Sequence, residues 1–386
     1  MTAAKAAAAG VSHPCSSSCS SAVIPSRARL HKPFFHKRCT SSVVAAGQND
    51  TPATAAVAED LVLHRILQQF EGRAPTYDTN NTYHPALAQN LLQLLVLKPG
   101  DRLLDLAAGT GIVALAAAAA VAPGGNVVLV DISPAMLQQA RSNYTAAVQL
   151  GDSNVENGTA QCAMQPQDPA GPGQQLLSKQ QQQQQQQLAP AHFILGDIEQ
   201  LHSCLPAEWL HSFSAITCSA AVPFLQHPTA ALASWRHWLL QPGGKLAFNA
   251  FVPPAIEDYG TFVRLAGECG FPAEFDPSEV LGSTERVTAA LTEAGYSHIQ
   301  VTPEAQQRWM PAASPEAHAA AVWHMALHRN VFRGPEQLQQ QPQQLQALQD
   351  AYVAAVVEDV VASGRWDAAG QRVLSRSTVL HVLAMA

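Results

Sequence analysis

A chain of 386 residues with a formal net charge of −7 and only 22 Lys and Arg has room for one large α/β domain with additions. It carries too little positive charge to neutralise a phosphate backbone, which excludes nucleic acid as substrate or partner. The seven cysteines form no CxxC pair and the fifteen histidines no HxxxH-type cluster beyond His324 and His328, whose helical spacing suits surface or core positions, so no metal and no disulfide framework is expected.

Taken in chain order, residues 1–49 contain no Asp or Glu, while Lys5, Arg27, Arg29, Lys32, Lys37 and Arg38 are scattered among Ser, Ala and Thr. That composition predicts a disordered organelle transit peptide with processing near Ala45. Its Ser and Pro content favours the chloroplast, with the mitochondrion or an untargeted tail as alternatives. The leader lacks an apolar run long enough to span a membrane, so no transmembrane segment is expected. Residues 50–386 are read as one domain. Glu59 to Phe70 and Pro85 to Leu97 show the three- and four-residue apolar spacing of helices.

The most informative stretch follows. An apolar strand, Arg102 to Leu106, carries a carboxylate (Asp105) near its end and runs into a Gly109-Thr110-Gly111 turn. An alanine-rich helix comes next, then a second strand, Asn126 to Val130, ending in Asp131. Strand, glycine turn, helix, strand and acid form a βαβ unit built to hold a nucleoside: glycines let a ligand approach the backbone, and an acid at the second strand end accepts from ribose hydroxyls. Gly109-Thr-Gly111-Ile-Val-Ala114 also satisfies the dinucleotide pattern GxGxxG/A, with Asp131 about 20 residues on. A pyrophosphate at that helix N-terminus is poorly served by Asp105 just upstream, whereas a ligand bearing an amino group and a sulfonium gains from it.

A helix from Pro134 to Val148 leads into residues 151–190, an Asn-, Gly-, Gln- and Pro-rich insert containing the run Gln180 to Gln187. It is predicted to be disordered. Neutral repeat expansion explains it more simply than a docking tract, and a surface loop tolerates such length at roughly 0.6 kcal/mol per doubling. Strands then follow at His192 to Leu195, ending in Gly196-Asp197-Ile198-Glu199, and at Phe213 to Ser219. After a helix over Thr229 to Leu240, Pro242-Gly243-Gly244 turns into a fifth strand. Ala255 to Gly267 and Ser283 to Ala294 read as helices, the latter stopped by Gly295. A sixth strand is expected up to Val301 and a seventh, antiparallel, over Ser377 to Leu383. Between them, residues 303–375 are read as a helical insertion containing helices over Pro315 to Arg329 and Pro335 to Ser363. This insertion suits either a lid or packing on the sheet edge.

These motifs, in this order, resemble the class I S-adenosylmethionine (SAM)-dependent methyltransferases, with Asp131-Ile-Ser-Pro-Ala-Met-Leu137 similar to the DxSxxML signature of the ubiquinone and menaquinone methyltransferase branch. The resemblance covers Thr76 to Asn249. It implies a Rossmann-like α/β fold: a seven-stranded, mostly parallel sheet with helices on both faces and an antiparallel last strand. It also implies SAM as cofactor, held by Tyr77, Asp105, Ala107, Gly109, Gly111, Asp131, Ile132, Met136, Asp197, Ile198 and Ser219. In that scheme Asp131 takes the ribose, Asp197 the adenine amine and Ile198 the adenine ring. Asp105 supports the amino acid end, and Tyr77 of the Tyr77-Asp78 pair closes over the cofactor. Met136 packs on the adenine or only in the helix core. Ala107 stands where many members have glycine, and Ser214 where they have an acid. The implied activity is in-line methyl transfer to a small-molecule acceptor, quinone-like or otherwise lipophilic. The alternatives are a non-catalytic SAM-binding protein and, third, an NAD(P)-dependent oxidoreductase. His84, His227 and Tyr259 are the candidates for a general base, and none is singled out by its spacing.

Overall fold

The computed structural model describes residues 64, 67–68, 70–79, 83–156, 188–201, 204–255, 257–271, 281–328 and 340–386. The transit-peptide reading of 1–49, most of the 59–70 helix, and residues 157–187 of the Gln-rich insert, with Cys162, lie outside the described residues. Residues 151–156, expected to be disordered, instead continue the helix that begins at Pro134.

Leu87, Leu91 and Leu95, four apart and buried, form the inner face of α1 (Tyr83–Leu95). The helix ends at Val96, whose positive φ of 52° breaks the repeat two residues earlier than the apolar spacing predicts. β1 (Arg102–Leu106) and β2 (Asn126–Asp131) are buried along almost their whole length, as parallel strands covered on both faces must be. Between them runs α2 (Ile112–Val121), whose Ala114, Ala117 and Ala118 are fully buried against the sheet.

α3 (Pro134–Glu156) opens with Ser133 as its cap, the Met136 amide donating to Ser133 Oγ at 3.2 Å, and Pro134 in the first turn. β3 (Ala191–Leu195) and β4 (Phe213–Cys218) follow. The predicted helix over 229–240 is α4 (Pro228–Ser234) continued by a π-helical turn, Trp235–Leu239, in which the buried Trp235 indole donates to the Ile198 carbonyl at 2.7 Å. β5 (Leu240–Val252), α5 (Glu257–Glu268), α6 (Thr284–Glu293) and β6 (Ser297–Pro311) come next. Ser283 caps α6 through the Arg286 amide, and Gly295 with φ +85° stops it. The chain closes with α7 (Pro315–His328), α8 (Pro342–Ala362), a two-residue β7 (Trp366–Asp367) and β8 (Arg372–Met385).

The sheet order is β3-β2-β1-β4-β5-β8-β6, with β7 paired to β8. β1 to β5 are parallel, and β8 runs antiparallel between β5 and β6. This is the Rossmann-like α/β architecture. β6 and β8 are longer than their apolar patterns suggest. Beyond Val301 the two strands pair with each other out to Pro311 and Arg372, so the segment between them runs from 312 to 371. β6 lies at the sheet edge and is largely exposed, so Thr302-Pro-Glu-Ala-Gln-Gln-Arg308 needs no apolar alternation, and an edge tolerates its prolines.

Two cores cover the two faces of the sheet: one around Phe213, Trp235 and Phe248, the other around Leu91, Ala117 and Leu129. A third joins α5, α7 and α8 through Phe262, Trp323 and Tyr352, whose rings meet at 5.1–5.8 Å. No helix among the described residues is long and apolar enough to cross a membrane.

Candidate functional site

The carboxyl ends of β1, β2, β3 and β4 surround a solvent-open cleft of about 120 Å3. Open α/β sheets place their ligands at this edge. β2 delivers Asp131, whose carboxylate accepts from the Gly109 amide at 2.7 Å and the Ser133 amide at 2.8 Å. These contacts fix the glycine turn against the second strand, and each oxygen keeps a further lone pair. Burial raises the Asp131 pKa, and the backbone amides oppose that rise. After β3, Asp197 and Ile198 reach the cleft wall, the Asp197 carboxylate also accepting the Glu199 amide at 2.9 Å. Glu199 in turn accepts the Gln226 and His227 amides, tying the β3 end to the start of α4.

The structure brings Tyr77, Ala107, Gly109, Asp131, Ile132, Met136, Asp197, Ile198 and Ser219 together on the cleft wall. Asp105 and Gly111 stand behind it. Asp105 is buried, accepting from the Ala114 amide at 3.2 Å and the Thr217 hydroxyl at 2.8 Å, so it clamps α2 to β1 and β4 and supports the turn from below. Gly111 starts α2 with φ +84°, and a Cβ there would stand 3.1 Å from Leu129 Cδ2 and 3.3 Å from Ala140 Cβ. At Gly109 (φ +56°) a Cβ meets no protein atom within 4 Å.

The two glycines therefore separate by experiment. Gly111→Ala should destabilise the fold by about 1–3 kcal/mol through crowding and left-handed strain. Gly109→Ala carries the left-handed strain alone, about 1–2 kcal/mol without the crowding, and should in addition lose ligand affinity. Urea midpoints and calorimetric titrations of both variants check the split.

Burial pushes the Asp105 carboxyl up to about 7, with Asp131 adding to the rise and Thr217 and Ala114 opposing it. A carboxyl raised on folding contributes stability that is complete below its unfolded pKa, near 4, and is lost as the pH climbs through the raised value. Asp105→Asn should therefore remove a loss of roughly 2 kcal/mol that the parent protein suffers between pH 5 and pH 7. Unfolding midpoints at the two pH values test this.

Several wall residues have no simple sequence signal. Phe70 and Phe224 meet edge to face at 5.8 Å, and Tyr77 lies 6.3 Å from Phe70. With Leu67 and Leu225 they give the cleft an apolar side. Ser133 also lines the cleft, and a serine directly before Pro134 is the signal that marks it as a helix cap. Asp78 fastens the Tyr77 segment, accepting from Thr110 Oγ1 at 2.7 Å and Asn143 Nδ2 at 3.0 Å.

Of the candidate bases, His84 stacks on Tyr77 with a 3.1 Å contact between Nε2 and the phenol oxygen. The His227 amide is held by Glu199 just before α4, and Tyr259 is buried in the α5–α7–α8 core away from the cleft. Ser214 lies at the opposite end of β4, bonded to the Arg102 backbone at 3.0 and 3.2 Å, so the missing acid there does not bear on the cleft. Among the described residues no group of His, Cys, Asp and Glu is arranged to hold a metal ion.

The donor set fits SAM. Asp131, Asp197 and Glu199 line the cleft, and no Lys or Arg does among the described residues. A cationic ligand is favoured by such a wall, and a dinucleotide pyrophosphate is disfavoured.

A methyltransferase domain family model matches residues 80–333, well over half of the chain. The chain is 50% identical over 50 residues to a demethylmenaquinone methyltransferase of Symbiobacterium thermophilum, covering 13% of this chain and 20% of that protein. It is 38% identical over 90 residues to nocamycin O-methyltransferase of Saccharothrix syringae, covering 22% and 32%. It thus spans a third or less of these curated relatives. A solved putative methyltransferase of Bacillus halodurans is 18% identical with a TM-score of 0.43, covering 77% of this chain and 97% of that one. The chain belongs to the methyltransferase domain family.

Proposed function

We propose that this enzyme methylates a small, largely apolar acceptor at a carbon or oxygen nucleophile, in the manner of quinone-ring or phenolic methylation. The observation that carries this reading is the two-sided cleft: carboxylates of Asp131, Asp197 and Glu199 on one side, and Leu67, Phe70, Tyr77, Phe224 and Leu225 on another. When bound, SAM supplies a methyl group on a positively charged sulfur, an electrophile already activated. Asp131 would hold the ribose hydroxyls and Asp197 the adenine amine, with Ile198 and Met136 against the ring. The Tyr77 segment, pinned by Asp78, and Phe70 would cover the site and exclude water. Holding the acceptor within about 3–3.5 Å and in line is the main catalytic contribution, and a base is required only where the acceptor must lose a proton. The chain's likeness to a demethylmenaquinone methyltransferase and to nocamycin O-methyltransferase supports this acceptor class.

The composition of residues 1–49 supports placing this activity in the chloroplast. The test is transfer of labelled methyl from SAM into a plastid extract, followed by identification of the product. A labelled lipophilic quinol or phenol is expected. Labelled protein or RNA would contradict the proposal, and SAM binding without any transfer would favour the non-catalytic alternative.

A further inference from the structure

A polar row crosses the sheet interior beneath α1, where apolar side chains would be expected. Ser219 follows β4 and lines the cleft. Its hydroxyl lies 3.3 Å from Asn249 Oδ1 on β5. Asn249 Nδ2 lies 3.0 Å from His381 Nδ1 on β8, and the two residues are register partners. His381 Nε2 lies 2.6 Å from Glu304 Oε2 on β6. Asn249 and His381 are buried, whereas Glu304 is 48% exposed. Buried polar groups persist at a cost unless each is satisfied, and here the chain of contacts satisfies them in sequence.

We propose that His381 and Glu304 are positioning residues that act through Asn249 to set which way the Ser219 hydroxyl points at the cleft. The proposal rests on the cleft holding SAM, as argued above. An Asn amide has one donating and one accepting end. With Asn249 donating to His381 Nδ1, that nitrogen carries no proton, and the imidazole proton sits on Nε2 toward Glu304. Asn249 Oδ1 is then left to accept the Ser219 hydroxyl proton. Ser219 accordingly offers only lone pairs to the cleft, the polarity that suits an ammonium group.

When His381 gains a second proton from solvent, at Nδ1, Asn249 must turn its amide, presenting Oδ1 to His381 and Nδ2 to Ser219. Ser219 then points its hydrogen into the cleft, against a cation. Glu304 from β6 faces His381 Nε2 and accepts the proton held there. Asn90 from α1 touches both, at 3.3 Å from Glu304 Oε2 and 3.4 Å from His381 Nε2. Tyr83 of α1 and Arg308 of β6 lie in the same field as Glu304.

The test is calorimetric titration of SAM into the full chain between pH 5.5 and pH 8.5, for the parent, Glu304→Gln and His381→Gln. The parent should lose affinity by about tenfold at the acid end of that range, the equivalent of one hydrogen bond to a charged group. Glu304→Gln should move that loss to lower pH. His381→Gln, whose side-chain amide reproduces the neutral acceptor–donor order, should abolish it, leaving only the part owed to the carboxyls raised by burial, Asp131 and Asp105. A pH step unchanged in His381→Gln, or unmoved in Glu304→Gln, overturns the proposal.

Imidazole nitrogen spectra of the parent give a second readout that needs no variant to fold and no SAM. They should show His381 as the Nε2–H tautomer at pH 8.5, and the Nδ1–H tautomer would contradict the proposal. Absence of SAM binding at every pH, with the expected tautomer present, would instead overturn the cofactor reading and this inference with it.

Discussion

Asp131→Ala should lower the affinity for SAM by at least about 100-fold while the protein stays folded. Its carboxylate is mostly buried and already fixed by the Gly109 and Ser133 amides, so it meets a ligand pre-aimed. Charge-assisted hydrogen bonds to the ribose hydroxyls contribute about 1.5–3 kcal/mol each. Losing roughly 3 kcal/mol corresponds to about two orders of magnitude in Kd. The substitution also frees the Gly109 amide, loosening the turn on which the amino acid end of the ligand would rest. Asp131→Asn keeps the size and one accepting oxygen and should fall between the two. Calorimetric titration with circular dichroism as the fold check measures both. An Asp131→Ala affinity within threefold of the parent would refute the assignment.

Asp258→Ala should destabilise the protein by about 2–3 kcal/mol, because Arg365 loses its buried partner and keeps only the more exposed Asp359 and Glu257. Arg365 is fully buried, with Nη2 2.6 Å and Nη1 3.2 Å from the two Asp258 oxygens. His318 Nε2 meets the same carboxylate at 2.7 Å, so α5, α7 and the start of the β7–β8 segment are tied at one point. Burial pushes the Asp258 carboxyl up, but His318 and Arg365 outweigh it and hold the group below its ordinary range. A depressed carboxyl contributes stability that is complete above its unfolded pKa, near 4, and is lost as the pH falls through the lowered value. Replacing both partners, as Asp258→Leu with Arg365→Met, should recover much of the loss, because no charge is then stranded. Urea unfolding of the two single variants and the double variant gives the comparison. A single-variant loss below about 1 kcal/mol would show that the network is not what holds this subdomain.

The βαβ unit was legible because its signals are local. Strands buried on both faces read as apolar runs, Gly111 marks a left-handed helix start, and Ser133-Pro134 marks a cap. Leu87, Leu91 and Leu95 outline α1 for the same reason. Asp105 shows where such reading stops: its place near the end of β1 was readable, but the direction of its side chain was not. Thr217, distant in sequence, and the Ala114 amide across the glycine turn draw it inward. β6 past Val301 carries no apolar alternation because an edge strand buries little. The aromatic side of the cleft joins Phe70 and Phe224 from far-apart segments. The row from Ser219 to Glu304 exists only because β8 inserts between β5 and β6, an order that no local pattern announces.

The central claim is that a sulfonium-bearing adenosine ligand, and not a dinucleotide, occupies the cleft at the carboxyl edge of the sheet. Parallel calorimetric titrations of the full chain with SAM and with NAD and NADP decide it. Saturable binding of SAM with no heat from either nicotinamide cofactor is the result expected from a wall of three carboxylates without a facing Lys or Arg among the described residues. Tight binding of a nicotinamide dinucleotide, or no binding of SAM, would contradict it.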